Sequence, residues 1–200
     1  MKIIKVEPIG FASNSYILTA DNKTAVVIDP SEDGVLQILE QNGLECKYVL
    51  LTHGHFDHIG TCGKLFAKGA HICCNERENA LIFSPEYKGI FGGVHTPHFE
   101  ISRTFGDGES FNLCGIEFTA IHTPGHTAGS TCYLTDGSLF SGDTLFKMSV
   151  GRTDLPTGDF TELISSINKL FALPRDLKVY AGHGDDTTLD FERQYNPYVR

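Results

Sequence analysis

Residues 52–60 read THGHFDHIG, from Thr52 to Gly60, and put His53, His55, Asp57 and His58 into six consecutive positions of a chain with nine histidines. In extended backbone, residues two apart face the same side, so His53 and His55 can share one metal ion. A helix beginning near residue 57 would turn Asp57 and His58 away from that pair, towards a second position. Four donors in six residues crowd a single tetrahedral ion. Two ions side by side, about 3.5–4 Å apart, fit the spacing better.

Working outward, four β-like runs each lead into residues of metal-ligand type. KYVLLT (47–52) runs into the histidine cluster, and GIEFTAI (115–121) into His122 and His126. SLFSG (138–142) ends at Asp143, and KVYAG (178–182) at His183. Gly125, Gly142 and Gly182 stand directly before His126, Asp143 and His183, where a tight turn asks for glycine. Strands lying in packed sheets and pointing the same way would bring their ends to one edge, the usual ligand edge of open sheets. This places His53, His55 and His126 on one ion, Asp57, His58 and His183 on the other, and Asp143 between them. All donors are N or O, which suits zinc and also iron or manganese.

The remaining composition sets bounds. Two hundred residues with 40% hydrophobic and 20% charged side chains describe one ordinary globular domain spanning 1–200. A net charge of −9 disfavours nucleic acid as a partner. Lys5, Glu7 and Pro8 interrupt the N-terminal apolar run before a leader could form, and no stretch reaches the length of a membrane span. The six cysteines contain no CxxC pair and sit in apolar runs, as in a reducing cytoplasm. Helices are expected after Ser31 over 35–43, after Asp57 and His58 over 59–69, and after Asp159 from 160 to Pro174. Residues 84–99 mix Gly, Pro and aromatics without a period and read as a loop over the site, with Tyr87, Phe91, His95 and His98 near the substrate.

THGHFDHIG, HTPGHTAGS, SGDTLF and AGHG, in this order, resemble the metallo-β-lactamase superfamily along nearly the whole chain. SGDTLFKMSVGRTDLPTGDF and GHGDDTTLDFERQYNPY resemble its short glyoxalase II-like hydrolases. The resemblance implies an α+β fold, a four-layer αββα sandwich of two mixed β-sheets with helices outside. It implies two divalent ions, zinc first, held by His53, His55, Asp57, His58, His126, Asp143 and His183. His122 is set aside, because the family's ligand is the histidine after the Pro-Gly pair, and it is expected to shape the strand end instead.

The activity implied is hydrolysis of a small thioester or ester by a hydroxide bridging the two ions, with Asp57 orienting it. The expected partner is the small-molecule substrate, with no nucleic acid and no membrane. Arg152 falls where glyoxalase II-like enzymes carry a basic residue beside the substrate, and Lys147 lies nearby. Asp185 stands where that family has tyrosine, a departure that bears on glutathione recognition. Asp29 is either a carboxylate behind a histidine ligand or a turn residue before Pro30. The competing activity is that of the superfamily's persulfide dioxygenases, which resemble this chain in GRTD and use one iron on the equivalents of His53, His126 and Asp143.

Overall fold

Five residues of alternating contact, TAVVI in β3 (Thr24–Ile28), show how the layers are built. Ala25 and Val27 face one buried cluster while Val26 and Ile28 face another. That is the two-residue period of a strand covered on both faces. β2 (Ser15–Thr19) does the same, sending Ile17 one way and Tyr16 and Leu18 the other. The structure, a computed structural model, describes residues 1–10, 12–85, 87 and 98–199.

The first sheet runs β1 (Lys2–Val6), β2, β3, β4 (Glu45–Leu50), β5 (His71–Asn75), β6 (Ile101–Phe105). Its first two pairings are antiparallel and the next three parallel. The second sheet runs β14 (Thr187–Thr188), β13 (Lys178–Ala181), β10 (Ser138–Gly142), β9 (Thr131–Thr135), β8 (Ile116–His122), β7 (Ser110–Leu113). Only β10 and β13 pair in parallel there. A short hairpin joins β11 (Leu145–Phe146) to β12 (Ser149–Val150).

Among the described residues three cores are stacked. Between the sheets, Tyr16, Leu18 and Leu50 of the first meet Phe111, Phe118, Tyr133 and Phe140 of the second. Outside the first sheet lie α1 (Gly34–Gln41), α2 (Phe56–Ile59), α3 (Cys62–Ala67) and α4 (Glu76–Ile82), through Val35, Leu39, Leu65 and Ile82. Outside the second lie α5 (Phe160–Phe171) and α6 (Leu189–Tyr195), through Leu163, Ile167, Leu170 and Leu189. The order is helix, sheet, sheet, helix, as the family resemblance implies.

The helix at 160 starts as its sequence predicts, with the Asp159 side chain accepting from Glu162 N. Two expectations need correction. Ser31 does not cap α1; its hydroxyl donates to Ser13 O and meets Ser15, and Asp33 occupies the cap position. The helix expected over 59–69 is two short helices. It breaks where Thr61 N turns to Pro30 O and Gly60 packs so closely on the Ser31 carbonyl that a Cβ would stand 2.1 Å from it. Among the described residues no helix is long and apolar enough to cross a membrane.

Candidate metal centre

The strand ends converge as the spacing predicts. β8, β10 and β13 point the same way in the second sheet, and β4 delivers the 52–58 segment from the first. Three sets of side chains bring their donor atoms within 4.8 Å of one another: His53 with His55 and His126; His53 with His58 and Asp143; Asp57 with His58 and His183.

In the first set His126 Nε2 stands 3.2 Å from His53 Nε2 and 3.0 Å from His55 Nδ1. Donors about 2.0–2.1 Å from a tetrahedral ion lie about 3.3 Å apart, so the spacing suits one. In the last set His183 Nε2 is 3.2 Å from Asp57 Oδ2. Asp143 touches both groups, with Oδ1 3.3 Å from His58 Nε2 and Oδ2 3.6 Å from His126 and 3.5 Å from His183. His58 Nε2 and Asp143 Oδ1 are buried and make no hydrogen bond. Polar atoms left this way are costly, and a shared cation would satisfy both.

The far side of three of these rings is tied down. His58 Nδ1 meets Asp29 Oδ2 at 2.9 Å, His126 Nδ1 meets the Arg152 carbonyl at 2.8 Å, and His53 Nδ1 meets Thr52 Oγ1 at 3.1 Å. With Nδ1 so engaged, Nε2 faces the centre. Asp29 also accepts from Thr52 N and Oγ1, and holds φ at +48° to do so. Of the two alternatives raised by the sequence, the contact with His58 supports a carboxylate behind a candidate ligand.

Charge divides the centre. Burial keeps protons off His53 and His55, with help from neighbouring imidazoles; His53 falls well below the ordinary value and His55 to about 3. Burial also opposes a proton on His58, but Asp143, Asp57 and Asp29 outweigh it and hold its pKa well above the ordinary value. His183 is raised too, its Asp57 hydrogen bond and the Asp143 charge overcoming burial. Burial alone would raise Asp57 and Asp143; the positive charge of His58 lowers both.

A cleft of about 500 Å³ opens over these donors, walled by Phe56, Phe146, Val150 and Leu155. Arg152 lines it, but its guanidinium is forked onto Asp154 at 2.7 Å twice. Lys147 pairs with Asp185 at 2.9 Å. His122 is outside the centre; its Nε2 meets the Ala128 carbonyl. Of the loop residues, Tyr87 is buried with its ring 5.3 Å from that of His55, and His98 is exposed. Phe91 and His95 lie outside the described residues.

Two supporting residues escaped the sequence reading. Asn14 binds the turn carrying His183, through its backbone N–H to Gly182 O and its amide to Ala181 O and Gly184 O. Glu78 is fully buried beside Gly54 and Thr127. NERENALI carries a helix-start signal in Asn75 and Glu78, but nothing in it marks Glu78 as buried.

Residues 8–183 match the family model of the metallo-beta-lactamase superfamily. A hydroxyacylglutathione hydrolase, GloC of Haemophilus influenzae, is 36% identical over 98% of this chain and 97% of its own length. The crystal structure of BLEG-1, a B3 metallo-beta-lactamase, superposes with a TM-score of 0.89 at 34% identity, covering 99% of both chains. That of TTHA1623 in a di-iron-bound form gives 0.84 at 31% identity, covering 99% of this chain and 100% of the other.

Proposed function

The chain belongs to the metallo-β-lactamase superfamily, and from that premise we propose that it is a binuclear metal-dependent hydrolase of small thioesters or esters. The observation that carries this reading is the position of Asp143, a buried carboxylate within 3.6 Å of donors from both histidine groups. His53, His55 and His126 would hold one divalent ion, Asp57, His58 and His183 the other, with Asp143 shared. Zinc is the first choice and iron the second. Bound there, such ions supply a hydroxide at neutral pH and polarise a carbonyl.

The chain's own residues do the rest. Asp57 lines the cleft, where its carboxylate would accept a hydrogen bond from the attacking water. Phe146, Val150 and Leu155 give the acyl chain an apolar wall that keeps bulk water off the carbonyl. Arg152 is the candidate for a substrate carboxylate, once Asp154 yields it.

The test is metal content of the purified protein beside hydrolysis of S-lactoylglutathione, a neutral thioester and a β-lactam. Two metals with thioester turnover support the reading. One iron with oxygen uptake on a persulfide supports the dioxygenase instead. Protein that takes up no zinc, iron or manganese sinks both.

A further inference from the structure

Glu78 is a buried carboxylate that the hydrolytic reading does not use. It sits in the first turn of α4 and is 0% exposed. Its Oε1 accepts from Gly54 N at 2.7 Å and from Tyr87 Oη at 3.3 Å, and its Oε2 accepts from Thr127 Oγ1 at 2.7 Å. Gly54 lies between His53 and His55, and Thr127 follows His126. One side chain thus grips both chain segments that carry the three-histidine group.

The two segments close on α4 with no room to spare. A Cβ at Gly54 would stand 2.3 Å from Ile82 Cγ1, and one at Gly129 would stand 2.3 Å from Glu78 N and 2.5 Å from its Oε2. The glycine inside HGH is therefore a docking requirement. Burial raises the Glu78 pKa, which marks a costly group offset by its hydrogen bonds. The opposite donor set is held by other residues: Asp29 on His58, Ser13 N on the Asp57 carbonyl, and Asn14 on the His183 turn.

We propose that Glu78 is a positioning residue for one metal position only: it sets the spacing of His53, His55 and His126 and leaves Asp57, His58 and His183 to their own supports. This rests on the binuclear reading above.

The experiment is stepwise cobalt binding to the full chain by chelator competition, with the cobalt-shifted imidazole N–H signals read by NMR to identify each position. Outer supports of metal-binding histidines are worth about 10–100-fold in affinity. In Glu78→Ala the affinity of the three-histidine position falls by about that factor while the other stays within about twofold. Glu78→Gln keeps one acceptor oxygen and recovers part of the loss. Should Glu78→Ala fail to fold, Thr127→Val removes the donor to Oε2, together with the Thr127–Ser130 hydroxyl contact, and gives the same one-sided loss, smaller. Equal weakening of both positions, or no weakening in a folded variant, overturns the proposal while the binuclear reading stands. Wild-type protein that binds no cobalt, zinc or iron overturns both.

Discussion

His58 and Asp29 meet at 2.9 Å, Nδ1 to Oδ2, in a contact where both side chains are almost wholly buried. A carboxylate accepts here, so Nδ1 keeps its proton and Nε2 turns to Asp143. Asp29→Asn keeps the size of the side chain and tolerates the +48° backbone. Its amide nitrogen, however, cannot accept from the ring. Affinity at the Asp57/His58/His183 position should fall about 10–100-fold, with the fold intact by circular dichroism. Unchanged chelator competition in this variant would show that Asp29 serves the turn alone.

The two donor sets differ in the protons they carry. His53 and His55 are neutral far below pH 7, whereas His58 and His183 hold protons above their ordinary range. A metal needs neutral imidazoles. The second position must therefore release protons to load, and its affinity should rise with pH through the raised His58 and His183 values. The first should load with little proton release. Calorimetry in two buffers of different ionisation heat reads this directly; equal proton release in both steps would contradict it. The sign for the metal-free fold follows. A raised histidine pKa stabilises the folded state below the ordinary value near 6.5, and that stability is lost as pH rises through the folded value.

Gly182 offers a way to disable the centre without touching a donor. A Cβ there would lie 2.2 Å from Asp143 Oδ1 and 2.9 Å from His58 Cε1. In Gly182→Ala one of them must move. Overpacking of this kind costs about 1–3 kcal/mol of stability. Displacing a reacting group by about 1 Å costs roughly a hundredfold in rate. The expected variant is folded, slightly less stable, and at least about a hundredfold slower. Near wild-type turnover would mean that Asp143 does not hold its position during the reaction.

The side chains that converge at the candidate centre were legible because strict local spacing carries them: HxHxDH in one segment, and a glycine before each of His126, Asp143 and His183. The strands were legible in runs such as TAVVI, where burial on both faces leaves an apolar string, whereas the two-sheet layering came from the family resemblance. What the sequence hid depends on partners far along the chain. The break after Ile59 is set by the carbonyls of Pro30 and Ser31, and local propensity over 59–69 favours one helix. β6 reads ISRTF, with its middle three residues exposed, so no apolar alternation announces it. Glu78 looks like a solvent-facing helix residue until Gly54 and Gly129 bring two loops against it.

Arg152 lines the cleft and Lys147 follows its lining residue Phe146, so these two cations are the ones expected to influence substrate choice. Arg152 is forked onto Asp154, and Lys147 is paired with Asp185, all four exposed. A substrate carboxylate must displace an internal partner to reach either, so wild-type protein should gain little from a charged leaving group. Removing the partner reverses this. In Asp154→Ala the guanidinium fork is left open to bind a carboxylate in two-point fashion. Its KM for S-lactoylglutathione should fall by about two- to fivefold, an exposed-pair effect, and the gain should fade in high salt. KM for a neutral thioester should stay where it was, because the apolar wall of Phe146, Val150 and Leu155 is unchanged. Asp185→Ala should act the same way through Lys147, more weakly, since an ammonium is a point charge without the fork. A uniform change in KM for charged and neutral substrates would show that these pairs hold the loop rather than select the substrate.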